Sequence, residues 1–190
     1  MDHLELDRRT LRLLDEIVAT AKPADLGRPT PCADWTLADL LRHQVSENHG
    51  FATAAREGAA PDWDAGDLGD DAVAAYRASV DDFLDAFAAD DILDRSMAIN
   101  IFGTFPGSIG TAMHLVDTVA HGWDLARTLD LPYEPGSDAV HAALRIAEGI
   151  PDEGREVNGS FARRVGVPAD ASDLDRFLAL LGRDPAWRVS

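Results

Sequence analysis

The stretch that decides the fold covers residues 114–124 and reads His114-Leu-Val-Asp117-Thr-Val-Ala-His121-Gly-Trp-Asp124. Asp117 and His121 are four residues apart, which is about one turn of an α-helix. The surrounding 22 residues, 105–126, contain no lysine, arginine or glutamate. Because a surface helix normally carries long charged side chains on its outer face, this composition favours a helix whose polar residues face the protein interior.

Four polar side chains of this helix share one side of it. At about 100° per residue they fall within about 80° of arc, and they are His114, Asp117, His121 and Asp124. One interpretation is a solvated edge on an otherwise apolar helix. The other is an inward-facing stripe of metal ligands, because side chains at positions i and i+4 project from the same face and can bind one ion.

A metal site of this kind needs a further ligand from a neighbouring helix. The best candidate is His43, which lies at the flank of the apolar face of a well-capped helix. Asp39 and Glu47 lie one turn either side of it, and either carboxylate could hydrogen-bond its imidazole. His114 is the alternative ligand on the other helix, and the residue pattern leaves its role open.

The rest of the chain is also predicted to be helical. Thr36 and Asp39 have the spacing of an N-cap residue and its capping-box partner. Apolar residues recur at helical spacing in segments 4–20, 36–57, 70–89, 108–129, 137–148 and 172–181, whereas residues 90–107 read as irregular. These patterns predict one all-α domain over residues 1–190, an up-down bundle of four longer helices with short C-terminal helices packed outside it.

The bulk composition excludes several classes of protein. The net charge of −17 over 190 residues argues against nucleic-acid binding and against attachment to an anionic membrane surface. There is no apolar run near the roughly 20 residues that span a bilayer, and the N-terminus lacks the pattern of a signal peptide. The single cysteine, Cys32, fits a reducing cytoplasm. We therefore expect a cytoplasmic protein.

Three residues close to the predicted ligands have simpler interpretations. Cys32 precedes a helix N-terminus, where a thiolate is favoured, but no histidine is near it in sequence, so a catalytic role is not expected. Arg42, beside His43, is expected to form a surface salt bridge. Gly122, directly after His121, is expected to let another helix approach closely.

Three segments together resemble a known family. They read Pro29-Thr-Pro-Cys-Ala-Asp-Trp-Thr-Leu-Ala-Asp-Leu-Leu-Arg-His43, Asp117-Thr-Val-Ala-His121-Gly-Trp-Asp-Leu-Ala and Asp175-Arg-Phe-Leu-Ala-Leu-Leu-Gly-Arg-Asp-Pro-Ala-Trp187. The chain resembles actinobacterial metal-binding proteins of the DinB-like superfamily, related to the N-terminal domain of mycothiol-dependent maleylpyruvate isomerase. The resemblance implies a four-helix bundle in which His43, Asp117 and His121 bind a divalent metal. It also implies that relatives use thiols such as mycothiol or bacillithiol as cosubstrates.

The sequence departs from the isomerase in two respects. Asp117 stands where the isomerase has a glutamate, and the isomerase has a separate C-terminal domain that this chain is too short to supply. We therefore expect a reaction other than maleylpyruvate isomerisation.

The implied ligand set favours a reactive metal site. Two imidazoles and one carboxylate leave a position open for water, thiol or substrate, and a metal-bound thiol ionises at neutral pH. The first hypothesis is a metal-dependent thiol transferase or isomerase that acts on a small electrophile. The alternatives are a non-catalytic metal-binding stress or regulatory module, and a metal-free helical bundle that dimerises. Zinc is the default ion, although nickel, cobalt, manganese and iron accept the same ligands. A homodimer is compatible with each hypothesis.

Overall fold

The computed structural model describes residues 2–152, 155 and 161–189. Within these residues the chain forms six α-helices and one two-stranded antiparallel sheet. The helices are α1 (His3–Val18), α2 (Leu37–Glu57), α3 (Ala72–Ala86), α4 (Gly107–Leu129), α5 (Ser137–Glu148) and α6 (Asp173–Leu180). The strands are β1 (Ser96–Ile99) and β2 (Gly103–Pro106), and a 3-10 turn covers Pro23–Asp25. This mostly helical architecture confirms the predicted all-α class.

The helix that carries His43 begins where the sequence predicts. Thr36 Oγ1 accepts a hydrogen bond from the backbone N–H of Asp39, and Asp39 Oδ2 accepts one from the backbone N–H of Thr36. This capping box satisfies amide groups that have no partner within the helix. The helix ends at Gly58, whose φ of 87° is a left-handed conformation that glycine adopts without steric cost. Local sequence therefore defines both ends of α2 and the position of His43 along it.

The prediction that residues 90–107 are irregular is wrong, because this segment contains the β1–β2 hairpin. Met97 of β1 lies opposite Phe105 of β2 in the antiparallel register. Met97 is fully buried, and the N–H of Ala98 donates to the carbonyl of Gly58 at the end of α2. Each strand has only four residues, which is too short a window for period-two alternation to stand out from the surrounding sequence.

The four longest helices pack against one another in pairs. α1 contacts α4 and α3, whereas α2 contacts α3 and α4. α5 lies against α4 and α1, and α6 lies against α5. Buried apolar residues form one cluster centred on α1, α2 and α3 and a second one between α4, α5 and α6. α4 therefore lies between the two clusters. No described helix is both long and apolar enough to cross a membrane.

Gly122 allows α1 to approach α4 closely, as predicted. A Cβ atom at this position would lie 2.5 Å from Leu14 Cδ1 and 2.5 Å from Tyr133 Oη. Leu14 is completely buried, and the Tyr133 hydroxyl donates a hydrogen bond to the carbonyl of Val119. Because neither neighbour can move without losing packing or a hydrogen bond, a side chain here would force the helices apart.

A series of buried polar groups joins α1, α4, α2 and α3. His114 Nδ1 lies 2.6 Å from Asp7 Oδ2, and His114 Nε2 lies 3.0 Å from Asn48 Oδ1. Asn48 Nδ2 donates to Ser79 Oγ, which donates to the carbonyl of Tyr76. Because the Ser79 hydroxyl donates to Tyr76, it accepts from the Asn48 amide, and the Asn48 carbonyl then faces the imidazole. His114 Nε2 therefore donates to the Asn48 carbonyl, and its Nδ1 shares a hydrogen bond with the Asp7 carboxyl group.

The pair formed by Asp7 and His114 gives a prediction for stability. Asp7→Ala should lower the free energy of unfolding by about 2–4 kcal/mol, because it leaves His114 Nδ1 buried without its hydrogen-bond partner and removes an acceptor of the Thr118 hydroxyl. Urea denaturation measures this loss. The control is Asp15→Ala, also on α1, whose partner Arg77 lies 2.6 Å away at a largely exposed position. It should cause a much smaller loss, and equal losses in the two variants would contradict a stabilising role for the buried hydrogen bonds of Asp7.

Candidate metal centre

The three predicted ligands lie together between α2 and α4. His43 Nε2 is 3.4 Å from Asp117 Oδ1, and His121 Nε2 is 3.3 Å from the same oxygen. The two imidazole rings meet edge to face with centroids 4.8 Å apart. All three ligand atoms lie within 4.8 Å of one another. One carboxylate oxygen and two imidazole nitrogens therefore converge on a single point.

Two features of the sequence bring these atoms together. Asp117 and His121 share one face of α4 because they are one turn apart, and α2 packs against that face with His43. The exposed fraction of the side chain increases from 9% for His121 to 22% for Asp117 and 25% for His43. The site is therefore closed at the His121 end and reaches solvent beside His43.

The spacing of the donors fits a metal ion. A tetrahedral ion with bonds of about 2.0–2.1 Å holds its ligand atoms about 3.3 Å apart. The two distances to Asp117 Oδ1, 3.3 and 3.4 Å, have this value. They are longer than the usual N–H···O hydrogen bond of about 2.9–3.0 Å. Nitrogen and oxygen donors of this kind suit zinc and the neighbouring divalent transition metals.

Two further side chains orient the ligands. Gln44 Nε2 donates to Asp117 Oδ2 at 2.7 Å, which leaves Oδ1 facing the imidazoles. His121 Nδ1 donates to Asp124 Oδ2 at 2.9 Å. A histidine that donates from Nδ1 presents the lone pair of Nε2 to a metal. The partners of Asp117 and His121 therefore select the atoms that point into the site.

The charges of the site depend on one another. Burial would raise the pKa of Asp117, but the imidazoles of His121 and His43 outweigh burial and hold it well below its usual range. Burial would lower the pKa of His121, but the carboxylates of Asp117 and Asp124 raise it well above its usual value. A protonated His121 thus bridges two carboxylates, and a metal ion bound at Nε2 would have to replace its proton.

Asp39 and Glu47, the two carboxylates expected to hydrogen-bond the His43 imidazole, have other interactions. Asp39 is engaged by Thr36 at the helix N-terminus and by Arg42, whose guanidinium lies 2.9 Å away on the surface. This is the surface salt bridge expected for Arg42. Burial, assisted by the nearby Asp117 carboxylate, raises the pKa of Glu47 to about 8. Glu47 therefore adds a carboxyl group that holds a proton near neutral pH.

His114, the alternative ligand, belongs to a separate group of residues. Both of its nitrogens are engaged, by Asp7 and by Asn48. Its ring stacks on Phe83 with centroids 4.0 Å apart and meets Phe51 edge to face. A metal ligand must offer a free nitrogen lone pair, and His114 offers none in this arrangement.

Three residues that the sequence did not assign to the site lie at its edge. The Trp35 ring is stacked over His121 with centroids 6.2 Å apart, and it also touches the ring of His43. Cys32 Sγ lies 3.9 Å from His121 Nδ1, although sequence distance argued against any histidine partner. Arg183, which follows α6, places its Nη2 atom 3.3 Å from the same nitrogen.

Cys32, His121 and Asp124 form a second group of potential ligands within 4.8 Å of one another. It uses Nδ1 of His121, whereas the first group uses Nε2. Burial would raise the pKa of Asp124, but the charge of Arg183 and the hydrogen bond with His121 lower it to about 2. This second group therefore already contains a buried carboxylate paired with a permanent cation.

Comparison with known proteins identifies the family. The family model described as Mycothiol maleylpyruvate isomerase N-terminal domain matches residues 8–126, more than half of the chain, and this region contains His43, Asp117 and His121. Two uncharacterised proteins of Mycobacterium tuberculosis, from strains CDC 1551 / Oshkosh and ATCC 25618 / H37Rv, are each 27% identical over 187 residues, which covers 96% of this chain and 98% of each relative. No solved structure matches the chain. The chain belongs to the mycothiol maleylpyruvate isomerase N-terminal domain family.

Proposed function

We propose that this protein binds one divalent metal ion through His43, Asp117 and His121 and uses it to activate a small thiol. The observation that carries the proposal is the convergence of two imidazole nitrogens on one carboxylate oxygen at distances of 3.3 and 3.4 Å. These distances match the edge of a tetrahedral site. Zinc is the proposed ion, and nickel, cobalt, manganese or iron would accept the same donors.

The proposed reaction is transfer or isomerisation at a small electrophile, with a thiol of the mycothiol or bacillithiol type as cosubstrate. A bound divalent ion lowers the pKa of a coordinated thiol so that the thiolate forms at neutral pH. The fourth position of the site would lie on its more exposed side, next to His43. Gln44 and Asp124 hold the ligands in place, and the Trp35 ring covers His121 from one side.

We propose the same family architecture for the whole chain. In this proposal α1, α2, α3 and α4 form an up-down four-helix bundle of the DinB type, and residues 1–190 make one domain. The pairwise packing of α1 with α3 and α4, and of α2 with α3 and α4, supports it. A cytoplasmic location, which the single cysteine favours, would supply reduced thiol.

The proposed metal site predicts the metal content of the purified protein. Wild-type protein prepared without a metal-affinity tag should contain about one divalent ion per chain, and His43→Ala should lose it because two ligands on a single helix bind weakly. Elemental analysis measures the ratio. His49→Ala is the control, because His49 lies on the same helix but bonds to Asp82. Loss of metal from both variants, or from neither, would falsify the assignment of His43.

The raised pKa of His121 predicts that metal binding releases a proton. The metal-free imidazole is protonated at neutral pH because Asp117 and Asp124 stabilise its charge, whereas a ligand histidine must be neutral. Affinity should therefore increase with pH up to the raised pKa of His121. Calorimetric titration with Zn²⁺ in buffers of different ionisation enthalpy measures the released proton. A binding enthalpy independent of buffer would show that His121 is already neutral.

The proposed chemistry predicts thiol-dependent turnover. Metal-loaded protein with mycothiol or bacillithiol should accelerate substitution of the halide of an activated aryl halide by the thiol, which forms the aryl thioether and releases a halide ion and a proton. His121→Ala should reduce the rate to that of the uncatalysed reaction. His49→Ala again serves as the control and should keep the wild-type rate. Product formation is followed by absorbance, with and without a chelator.

A second candidate function is a non-catalytic metal-binding module. The observation that favours it is that the ligands come from two different helices, so the ion would tie α2 to α4. In that case metal would raise the melting temperature through binding to the folded state, and no thiol would bind. Turnover without a stability effect favours the enzyme, and a stability effect without thiol binding favours the module.

A further inference from the structure

The side of His121 that faces away from His43 contains a compact group of charges. Asp124 Oδ2 accepts hydrogen bonds from four atoms: His121 Nδ1 at 2.9 Å, Cys32 Sγ at 3.2 Å, Arg183 Nη2 at 2.8 Å and Arg183 Nε at 3.0 Å. Asp124 is completely buried and the Arg183 side chain is 10% exposed. The Asp124 carboxylate therefore has its hydrogen-bond partners among side chains of the protein.

Without Arg183, this group would have the composition of a metal site. A thiol, an imidazole nitrogen and a carboxylate within 4.8 Å are donors that soft divalent cations accept. The guanidinium lies among them, with Nη2 2.8 Å from Asp124 Oδ2, 3.3 Å from His121 Nδ1 and 3.7 Å from Cys32 Sγ. It places a positive charge where a second ion would be bound.

The end of α6 determines where this guanidinium lies. The helix is closed by Gly182 at φ 83°, and the N–H of Arg183 donates to the carbonyl of Leu178. A left-handed glycine with this hydrogen bond reverses the chain directly after the helix. A Cβ on Gly182 would also lie 2.6 Å from Ala162. The backbone of Arg183 is thus fixed by the turn, and its long side chain reaches Asp124.

We propose that Arg183 fills a cation position formed by Cys32, His121 and Asp124, and that it thereby acts as a positioning residue for the metal centre. It keeps Asp124 in the place where the carboxylate accepts from His121 Nδ1, so that Nε2 faces His43 and Asp117. It also prevents a second ion from binding to Nδ1 and competing for the imidazole. The proposal rests on the proposed metal site, because positioning has meaning only if His121 is a ligand.

The charges explain why a guanidinium suits this position. Arg183 carries one positive charge at all relevant pH values and balances the single negative charge of Asp124. Cys32 Sγ lies within hydrogen-bond distance of the same carboxylate. A divalent ion would require the thiolate, because cysteine coordinates metals in that form. The arginine also offers several N–H groups in one plane, which match the atoms of the carboxylate.

Cadmium titration tests the proposal, since thiolate-to-cadmium charge transfer has a distinct ultraviolet absorbance. Wild-type protein should bind one Cd²⁺ without this absorbance. Arg183→Met should bind a second Cd²⁺ and show the thiolate absorbance. The double variant of Cys32→Ser and Arg183→Met should lose the second Cd²⁺ and the absorbance. The affinity of the first ion should fall about 10- to 100-fold in Arg183→Met, as is usual when a group that orients a ligand is removed.

Arg183→Lys provides a second test that does not depend on the folding of Arg183→Met, which leaves the Asp124 carboxylate buried without a cation. The lysine keeps the charge but lacks the planar fork. It should therefore exclude the second Cd²⁺ and still weaken the first site. NMR of His121 in the Zn²⁺-loaded protein should show a proton on Nδ1 in both proteins. Its resonance should lie less far downfield in Arg183→Lys, because its hydrogen bond to Asp124 is less well aligned there.

The outcomes separate this proposal from the proposed function. A thiolate absorbance in the wild type, or an Arg183→Met protein with one silent Cd²⁺ and wild-type affinity, would overturn the role of Arg183. Wild-type affinity and an unchanged Nδ1–H resonance of His121 in Arg183→Lys would do the same. If the wild type binds no metal but Arg183→Met binds one Cd²⁺ through Cys32, the filled cation position stands, whereas the metal centre and the positioning role fail.

Discussion

The polar stripe on the inner face of α4 is the constraint on which the rest of the structure depends. Buried polar and charged groups are costly unless they are paired, and α4 turns four of them inward. Each neighbouring element supplies a partner: α1 provides Asp7 for His114, and α2 provides Gln44 and His43 for Asp117. The loop before α2 and the turn after α6 supply Cys32 and Arg183 to the group around Asp124. The helices are therefore held in register by specific polar contacts as well as by apolar packing.

Much of the fold follows from local signals in the sequence. The capping box at Thr36 predicts where α2 begins, and the helical spacing of apolar residues predicts the extent of α2 and α4. The bounds of both helices are predicted to within about one residue. The terminal helices α5 and α6 are predicted equally well, since their apolar faces are periodic. The β1–β2 hairpin is different. Its strands are stabilised by burial of Met97 and by a hydrogen bond to Gly58, and both interactions join residues that are far apart in the sequence.

The candidate site likewise contains residues that the sequence predicts and residues that depend on long-range contacts. The grouping of His43, Asp117 and His121 could be predicted, because helical spacing places two of them on one face and His43 lies at the flank of the apolar face of a neighbouring helix. The family resemblance implies the same three residues. Cys32 and Arg183 could not be predicted, since their approach to His121 depends on how a loop and a C-terminal turn fold back onto α4. The proline-rich composition before α2 shows that a loop is present, but it does not show where the loop lies. The left-handed glycine before Arg183 indicates a turn without indicating its target.

The comparison of His114 with His121 shows how one helix face can carry two kinds of histidine. Both are buried in the same stripe, seven residues apart along α4. Each nitrogen of His114 has a hydrogen-bond partner, and the ring stacks on an aromatic side chain. The polar atoms of His114 are therefore paired inside the protein. His121 has its acceptor at Nδ1, and its Nε2 points to a carboxylate and a second imidazole near solvent. Residue type and periodicity are equal in the two cases. The difference comes from the partners on α1, α2 and the C-terminal turn, which engage both nitrogens of His114 but leave Nε2 of His121 facing the other two candidate ligands.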